Sequence, residues 1–147
     1  MKICIAYDTR RGSTTVIAEW MKEALESKND IVADIKKVNK LKNFNYDLFI
    51  IGSPIYWEKP LRSVVNFVIT NKEILREKKV ALFIVCMAQV FGASTKHYIK
   101  TRYLKPFEEH IQNPLIESGI FKGWLRKQNS SERSKVLRWV GKLITAI

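Results

Sequence analysis

Residues 9–14, TRRGST, bring together side chains suited to holding an anion. They supply hydroxyls at Thr9, Ser13 and Thr14, guanidinium groups at Arg10 and Arg11, and one glycine, Gly12. The apolar run KICIAY (2–7) precedes them, and apolar residues at helical spacing follow, so the loop is expected to run from a strand into a helix amino terminus. Free backbone N–H groups and the helix dipole attract an anion at such a point. Gly12 lets the backbone pass close to a ligand. A nucleoside-triphosphate loop needs glycines at fixed spacing and a following lysine, and a dinucleotide loop needs three spaced glycines. This sequence has neither pattern, and what remains suits a single terminal phosphate monoester. The plain structural alternative is a capped turn with solvated arginines.

Two further segments follow apolar runs. In GSPIYWEKP (52–60), Ser53 and Pro54 stiffen the backbone, Ile55 follows, and Tyr56 and Trp57 put two large aromatics where polar residues are normal in a turn. Aromatics at the end of a strand form a stacking platform for a planar ligand. One of the pair is expected to pack beneath the next helix and the other to face outward. CMAQVFGAS (86–94) offers small or apolar residues, with Met87, Ala88, Gln89 and Gly92 placed to close over the other side of a flat ring system.

Other chemistries compete for the same residues. Cys4 and Arg10, with five residues between them, have the spacing of a low-molecular-weight tyrosine phosphatase, in which a thiolate attacks phosphorus and arginine clamps the phosphate. Ile5, Ala6 and Tyr7 instead prolong an apolar strand, which would keep Cys4 a neutral thiol. A phosphoacceptor receiver domain needs an aspartate after its third strand, and IIGSPIY supplies none. His97 and His110 have no acid or cysteine at ligand spacing, so no metal site is expected, and no catalytic residue is identified.

The remaining elements alternate. Val16, Ile17, Trp20, Met21, Ala24 and Leu25 mark a helix, DIVADI (30–35) an edge strand, and residues 36–44 a short helix. Residues 46–53 form a buried strand, 59–75 a helix with Pro60 in its first turn, and 78–88 a third buried strand. Residues 94–111 are helical in part, and Pro106 is expected to break or kink them. A fifth strand lies within 114–125 and a last helix over 130–147. Val136, Val140, Leu143, Ile144 and Ile147 share one face of that helix, Lys135, Arg138 and Lys142 lie opposite, and Trp139 falls at the border. Apolar strands alternating with helices imply one α/β domain over residues 1–147, a doubly wound five-stranded parallel sheet of order 2-1-3-4-5. Ligands bind such sheets at the carboxyl ends of the strands, where the loops at 8–14, 53–60 and 87–95 should converge. Cys4 and Cys86 would then lie two strand spacings apart, roughly 9–10 Å, too far for a disulfide.

The 147 residues carry a formal charge of +12. Residues 1–95 hold 15 basic and 10 acidic side chains, and residues 96–147 hold 11 and 4, so the anionic partner is expected at the last third. Arg126, Lys127, Arg133, Lys135, Arg138 and Lys142 cluster there. Charge alone supports only non-specific nucleic-acid binding, and such a module would leave the aromatic segment unexplained, so no specific nucleic acid is expected. No apolar run approaches the roughly 20 residues of a membrane span, and a cytoplasmic location is expected.

Thr9, Gly12 and Thr14 match the hydroxyl-x-x-Gly-x-Thr phosphate loop of the flavodoxins, and YDLFIIGSPIYWEKP resembles the segment that places an aromatic on their flavin. The likeness extends over nearly the whole chain in element order. Within that superfamily TRRGST, IAEWM, IIGSPIYW, LRSVVNFV and FKGWL resemble the flavodoxin-domain proteins of the protoporphyrinogen-oxidase type, although the Gly-Gly pair often found there is missing from FKGW. The resemblance implies FMN as cofactor. Residues 9–14 would lie at its phosphate, with Ser53, Pro54, Ile55, Tyr56, Trp57, Met87, Ala88, Gln89 and Gly92 around the ring. It further implies electron transfer with a redox partner protein or a quinone. The basic last helix adds peripheral contact with anionic membrane as an expectation.

Overall fold

A computed structural model describes residues 1–86, 97–124, 128 and 130–147. Five parallel strands, β1 (Lys2–Tyr7), β2 (Val32–Lys37), β3 (Leu48–Tyr56), β5 (Lys79–Cys86) and β6 (Ser118–Lys122), lie in the order β2-β1-β3-β5-β6. This is the expected 2-1-3-4-5 arrangement. A two-residue strand, β4 (Lys59–Pro60), pairs antiparallel with the end of β3. The central strands are apolar without alternation because both of their faces are covered.

On one face, α1 (Ser13–Glu26) and the last helix, α5 (Ser131–Ala146), pack over Ile3, Ile5, Ile50, Phe83 and Phe121. On the other, α2 (Arg62–Thr70), α3 (Lys72–Arg76) and a helical segment ending in α4 (Lys105–Glu108) cover Cys4, Phe49, Ile51, Leu82 and Ile84.

Four expectations need correction. Residues 36–44 form no helix. The Val38 N–H still bonds the Tyr7 carbonyl at 2.9 Å, which keeps the chain on the sheet, and Phe44 then stacks on Phe67 with ring centroids 6.0 Å apart. The helix expected over 59–75 starts later and divides at Asn71, whose side-chain amide donates to the Phe67 carbonyl at 2.9 Å. Pro60 belongs to β4 and not to a first helical turn. Pro106 does not break its helix, because a π-helical turn at Lys100–Leu104 widens the backbone just before it and the helix continues.

The last correction concerns Trp139. It is 7% exposed and packs edge-on against Phe121 at 5.8 Å, so it belongs to the core and not to a border. Val136, Val140 and Leu143 are buried with it. None of the described helices is long and apolar enough to cross a membrane.

Cys4 and Cys86 are buried free thiols on β1 and β5, with β3 between them. Gly52 is paired with Phe83, whose ring lies over it, and a Cβ built at Gly52 would stand 2.0 Å from the Phe83 Cζ atom. Gly52→Ala is therefore expected to lower stability by about 1–3 kcal/mol through overpacking. Chemical denaturation of the two proteins checks it; equal midpoints would show that the ring swings aside freely.

Candidate functional site

β1 ends at Tyr7, opposite Gly52, whereas β3 continues to Tyr56. Pro54 lies beyond the last residue paired with β1, so its missing N–H leaves no gap in that ladder. The segment expected to be a loop at 53–60 is thus a hairpin. Its turn is formed by Trp57 (φ 51) and Glu58 (φ 64), and its returning arm is β4. Ser53 is buried at its base, where the hydroxyl accepts from the Leu61 N–H at 2.9 Å and donates to the Pro54 carbonyl at 2.8 Å. Both polar capacities of Ser53 therefore hold the hairpin. Pro54 is buried as well, and Ile55 is half-buried.

Tyr56 and Trp57 part as expected. Tyr56 is half-buried against the apolar layer under α2, while Trp57 is 92% exposed. Two left-handed residues in a two-residue turn suit the twist of a hairpin, but they cost non-glycine residues about 1–2 kcal/mol each. A tether on Glu58 opposes that strain. Its carboxylate accepts from the Tyr98 hydroxyl at 2.6 Å and the Tyr103 hydroxyl at 2.7 Å, with the Arg102 Nε at 4.0 Å. The hydrogen bonds from Tyr98 and Tyr103, and then the Arg102 charge, hold Glu58 below the usual glutamate range. Burial and the bond to Glu58 raise the Tyr103 hydroxyl well above its ordinary value.

The phosphate-type loop sits beside this hairpin. Gly12 takes φ +93°, which favours glycine, and among the described residues no atom beyond its chain neighbours stands within 4 Å of a Cβ built there. The Gly12 N–H donates to the Thr9 hydroxyl at 3.1 Å, the Thr9 N–H donates to Asp8 at 2.8 Å, and the Ser63 hydroxyl on α2 donates to Asp8 at 2.6 Å. Arg10 and Arg11 are exposed and lie 5.6 and 5.9 Å from the Tyr56 ring centroid, so cation–π contact joins the loop to the hairpin. Ser13 and Thr14 open α1 and are buried. The Thr14 hydroxyl is fully buried and has no hydrogen-bond partner among the described residues. Such an orphan is expensive unless something satisfies it.

The structure therefore brings Arg10 and Arg11 against Tyr56, with Ser13 and Thr14 at the start of α1. Met87, Ala88, Gln89 and Gly92 lie outside the described residues. Sequence reasoning missed Asp8, Ser63, Glu58, Tyr98 and Tyr103. The tyrosines stand 40 and 45 residues from Glu58, and no local spacing announces that cluster.

The phosphatase alternative is not supported. Cys4 sits within β1, paired with Phe49 on one side and Asp34 on the other, and burial and then Asp34 push its thiol up to about 12. A neutral thiol inside a strand is no nucleophile. Among the described residues no group of three or more His, Cys, Asp or Glu could hold a metal ion.

A family model described as Flavodoxin domain matches residues 4–140. Oxidised flavodoxin 1 from Bacillus cereus aligns over 100% of this chain and 99% of its own, with a TM-score of 0.72 and 14% identity. Flavodoxin 2 from the same organism aligns over 100% of both chains at 0.68 and 19%. Rubredoxin oxygen:oxidoreductase from Desulfovibrio gigas aligns over 99% of this chain and 35% of its own, at 0.66 and 13%. At these identities the likeness shows the shared fold. No curated protein sequence matches the chain.

Two outcomes test this geometry. Cys4 and Cys86 are both pushed up to about 12 by burial, so neither should react with a thiol reagent at pH 8 until the protein unfolds; rapid labelling of native protein would contradict their placement. For Glu58 the folded-state pKa is depressed, so its tether is intact above the ordinary glutamate value of about 4.3 and is lost as pH falls through the lower folded value. NMR order parameters of the Trp57 and Glu58 amides should stay high from neutral pH to that range and fall below it. Glu58→Ala should show the low values at every pH.

Proposed function

The chain belongs to the flavodoxin-domain family, and from that premise we propose that it binds FMN and passes electrons between a reduced donor and a redox partner protein or quinone. One observation carries the cofactor assignment. The Thr14 hydroxyl is a buried donor with no partner among the described residues, placed in the first turn of α1 where backbone N–H groups favour an anion. A terminal phosphate satisfies that donor, and riboflavin, which lacks one, does not. The open space over Gly12 allows close approach of a ligand to the backbone.

When bound, FMN supplies the electron-accepting and electron-donating ring system. The protein's part is placement. Thr9, Thr14, Ser13 and the backbone of residues 10–12 hold the phosphate, Tyr56 or Trp57 stacks on the ring, and the Glu58 tether keeps the hairpin beside the loop. Arg10 and Arg11 add attraction that salt screens, because both are exposed. Plain electron transfer asks for no general acid or base.

The finer reading is an oxidoreductase of the protoporphyrinogen-oxidase type. It is supported by the net charge of +12 and by FKGWL, of which Phe121 is buried and Trp124 packs on Trp20 at 5.6 Å. FMN-loaded protein is expected to oxidise a porphyrinogen when an acceptor quinone is supplied; no porphyrin above the rate of free FMN would leave electron transfer alone.

Flavin-fluorescence titration tests the cofactor assignment. FMN should bind at least about tenfold more tightly than riboflavin, as one or more charge-assisted hydrogen bonds to phosphate predict. Thr14→Ala should weaken FMN binding more than Arg10→Ala does at moderate salt. Equal affinity for the two flavins would remove the phosphate role of residues 9–14, and the reverse order of variants would make the arginines direct ligands.

A further inference from the structure

β6 borders the sheet, and among the described residues no strand pairs with its outer side. Its inner side is fixed by the Leu82 N–H donating to the Glu117 carbonyl at 3.1 Å and the Gly123 N–H donating to the Cys86 carbonyl at 3.0 Å. Backbone groups alternate sides along a strand, so those of Ser118, Ile120 and Lys122 face outward. One of these donors already holds a carboxylate: the Lys122 N–H donates to Glu132 at 3.0 Å.

A groove of about 620 Å³ follows this border between β6 and α5. Lys100 reaches it from the helical segment on one face of the sheet, and Lys135, Arg138 and Lys142 reach it from α5 on the other. Lys135 is shared with Glu132 at 3.9 Å, and the groove's own acid is Glu117. Trp139 also lines it. Its indole N–H is buried without a partner among the described residues, beside Gly119, where a Cβ would stand 2.9 Å from Nε1.

We propose that this border takes up an extended acidic segment of a protein partner as an added strand along Ser118–Phe121, stopping short of the Lys122 N–H that Glu132 occupies. The outward backbone groups supply the pairing, as in other strand additions. Cations flank the strand on both faces, which matches a chain whose alternate side chains point to opposite sides. Lysines that merely guard a free edge sit on the edge strand itself; β6 has one, Lys122 at its end, whereas Ser118, Gly119, Ile120 and Phe121 are uncharged and three of the groove's cations come from α5. Glu132 shows the recognition in small, a carboxylate taken by an outward N–H of the border. None of the groove's residues belongs to the loops assigned to the cofactor, so the docking does not depend on the flavin.

The probe is a fluorescein-labelled peptide of alternating Glu and Val, followed by anisotropy with the full chain, both without FMN and loaded with it. Binding is expected in both states. Charge reversal at Arg138→Glu and Lys142→Glu together should weaken it by about tenfold or more. Ser118→Pro, which removes one outward N–H and leaves the inner ladder intact, should weaken it severalfold. A peptide of the same charge methylated on alternate backbone nitrogens should also lose about tenfold. In wild-type protein the peptide should protect the Ser118 and Ile120 amides from exchange and shift the Trp139 indole resonance. These last readouts stand even if a variant fails to fold. Equal binding of the methylated peptide would reduce the groove to a charged surface and overturn strand addition. So would binding of anionic vesicles or duplex DNA in place of the peptide with those amides unprotected.

Discussion

β1 stops at Tyr7 while β3 runs four residues past Gly52 to Tyr56, and the site depends on that unequal length. The early stop frees residues 8–12 to turn toward α1, and the overrun lifts the hairpin beside them. Pro54 is tolerated because no β1 neighbour remains to receive a hydrogen bond. The Ser53 hydroxyl then fastens Leu61, which brings α2 down with its Ser63 against Asp8. Were the strands level, the Tyr56 ring would have no loop of arginines to meet.

Much of this was legible in the sequence because it follows from local pattern. Unbroken apolar runs announced the covered strands, and β1 was bounded to the residue. The spacing of Val16, Ile17, Trp20 and Met21 announced α1, and Gly12 and Thr14 announced the bend before it. The hairpin was not legible, since Tyr56 could be read as strand or turn, and Trp57 and Glu58 are not residues that normally occupy left-handed positions. The absence of a helix at 36–44 was equally hidden. Val38, Leu41 and Phe44 have a helical period, but the sheet claims the Val38 N–H first. Trp139 looked peripheral on a helical projection, yet Gly119 across from it removes the side chain that would have pushed it outward. Such outcomes depend on neighbours distant in sequence.

The distribution of charge divides the molecule. Around the carboxyl ends of the strands, Arg10 and Arg11 lie over an aromatic ring, and Asp8 and Glu58 are spent on hydroxyl partners. Along the β6 border the cations of α5 outnumber the acids that answer them. The two surfaces thus differ in character, balanced charge beside an aromatic ring at one and a cationic margin along a strand at the other.

The turn at Trp57–Glu58 also bears on how the chain is made. Its carboxylate is held by hydroxyls 40 and 45 residues downstream. A ribosome adds about 5–20 residues each second, so the turn emerges seconds before either tyrosine exists outside the exit tunnel. During that interval the base of the hairpin has Ser53 and the β3–β4 pairing to hold it, but the two left-handed residues at its tip lack the carboxylate tether. The sheet can pair as far as β3 and wait. The aromatic edge of the site is therefore among the last parts to be completed, after β5 has passed and the helical segment bearing Tyr98 and Tyr103 has docked.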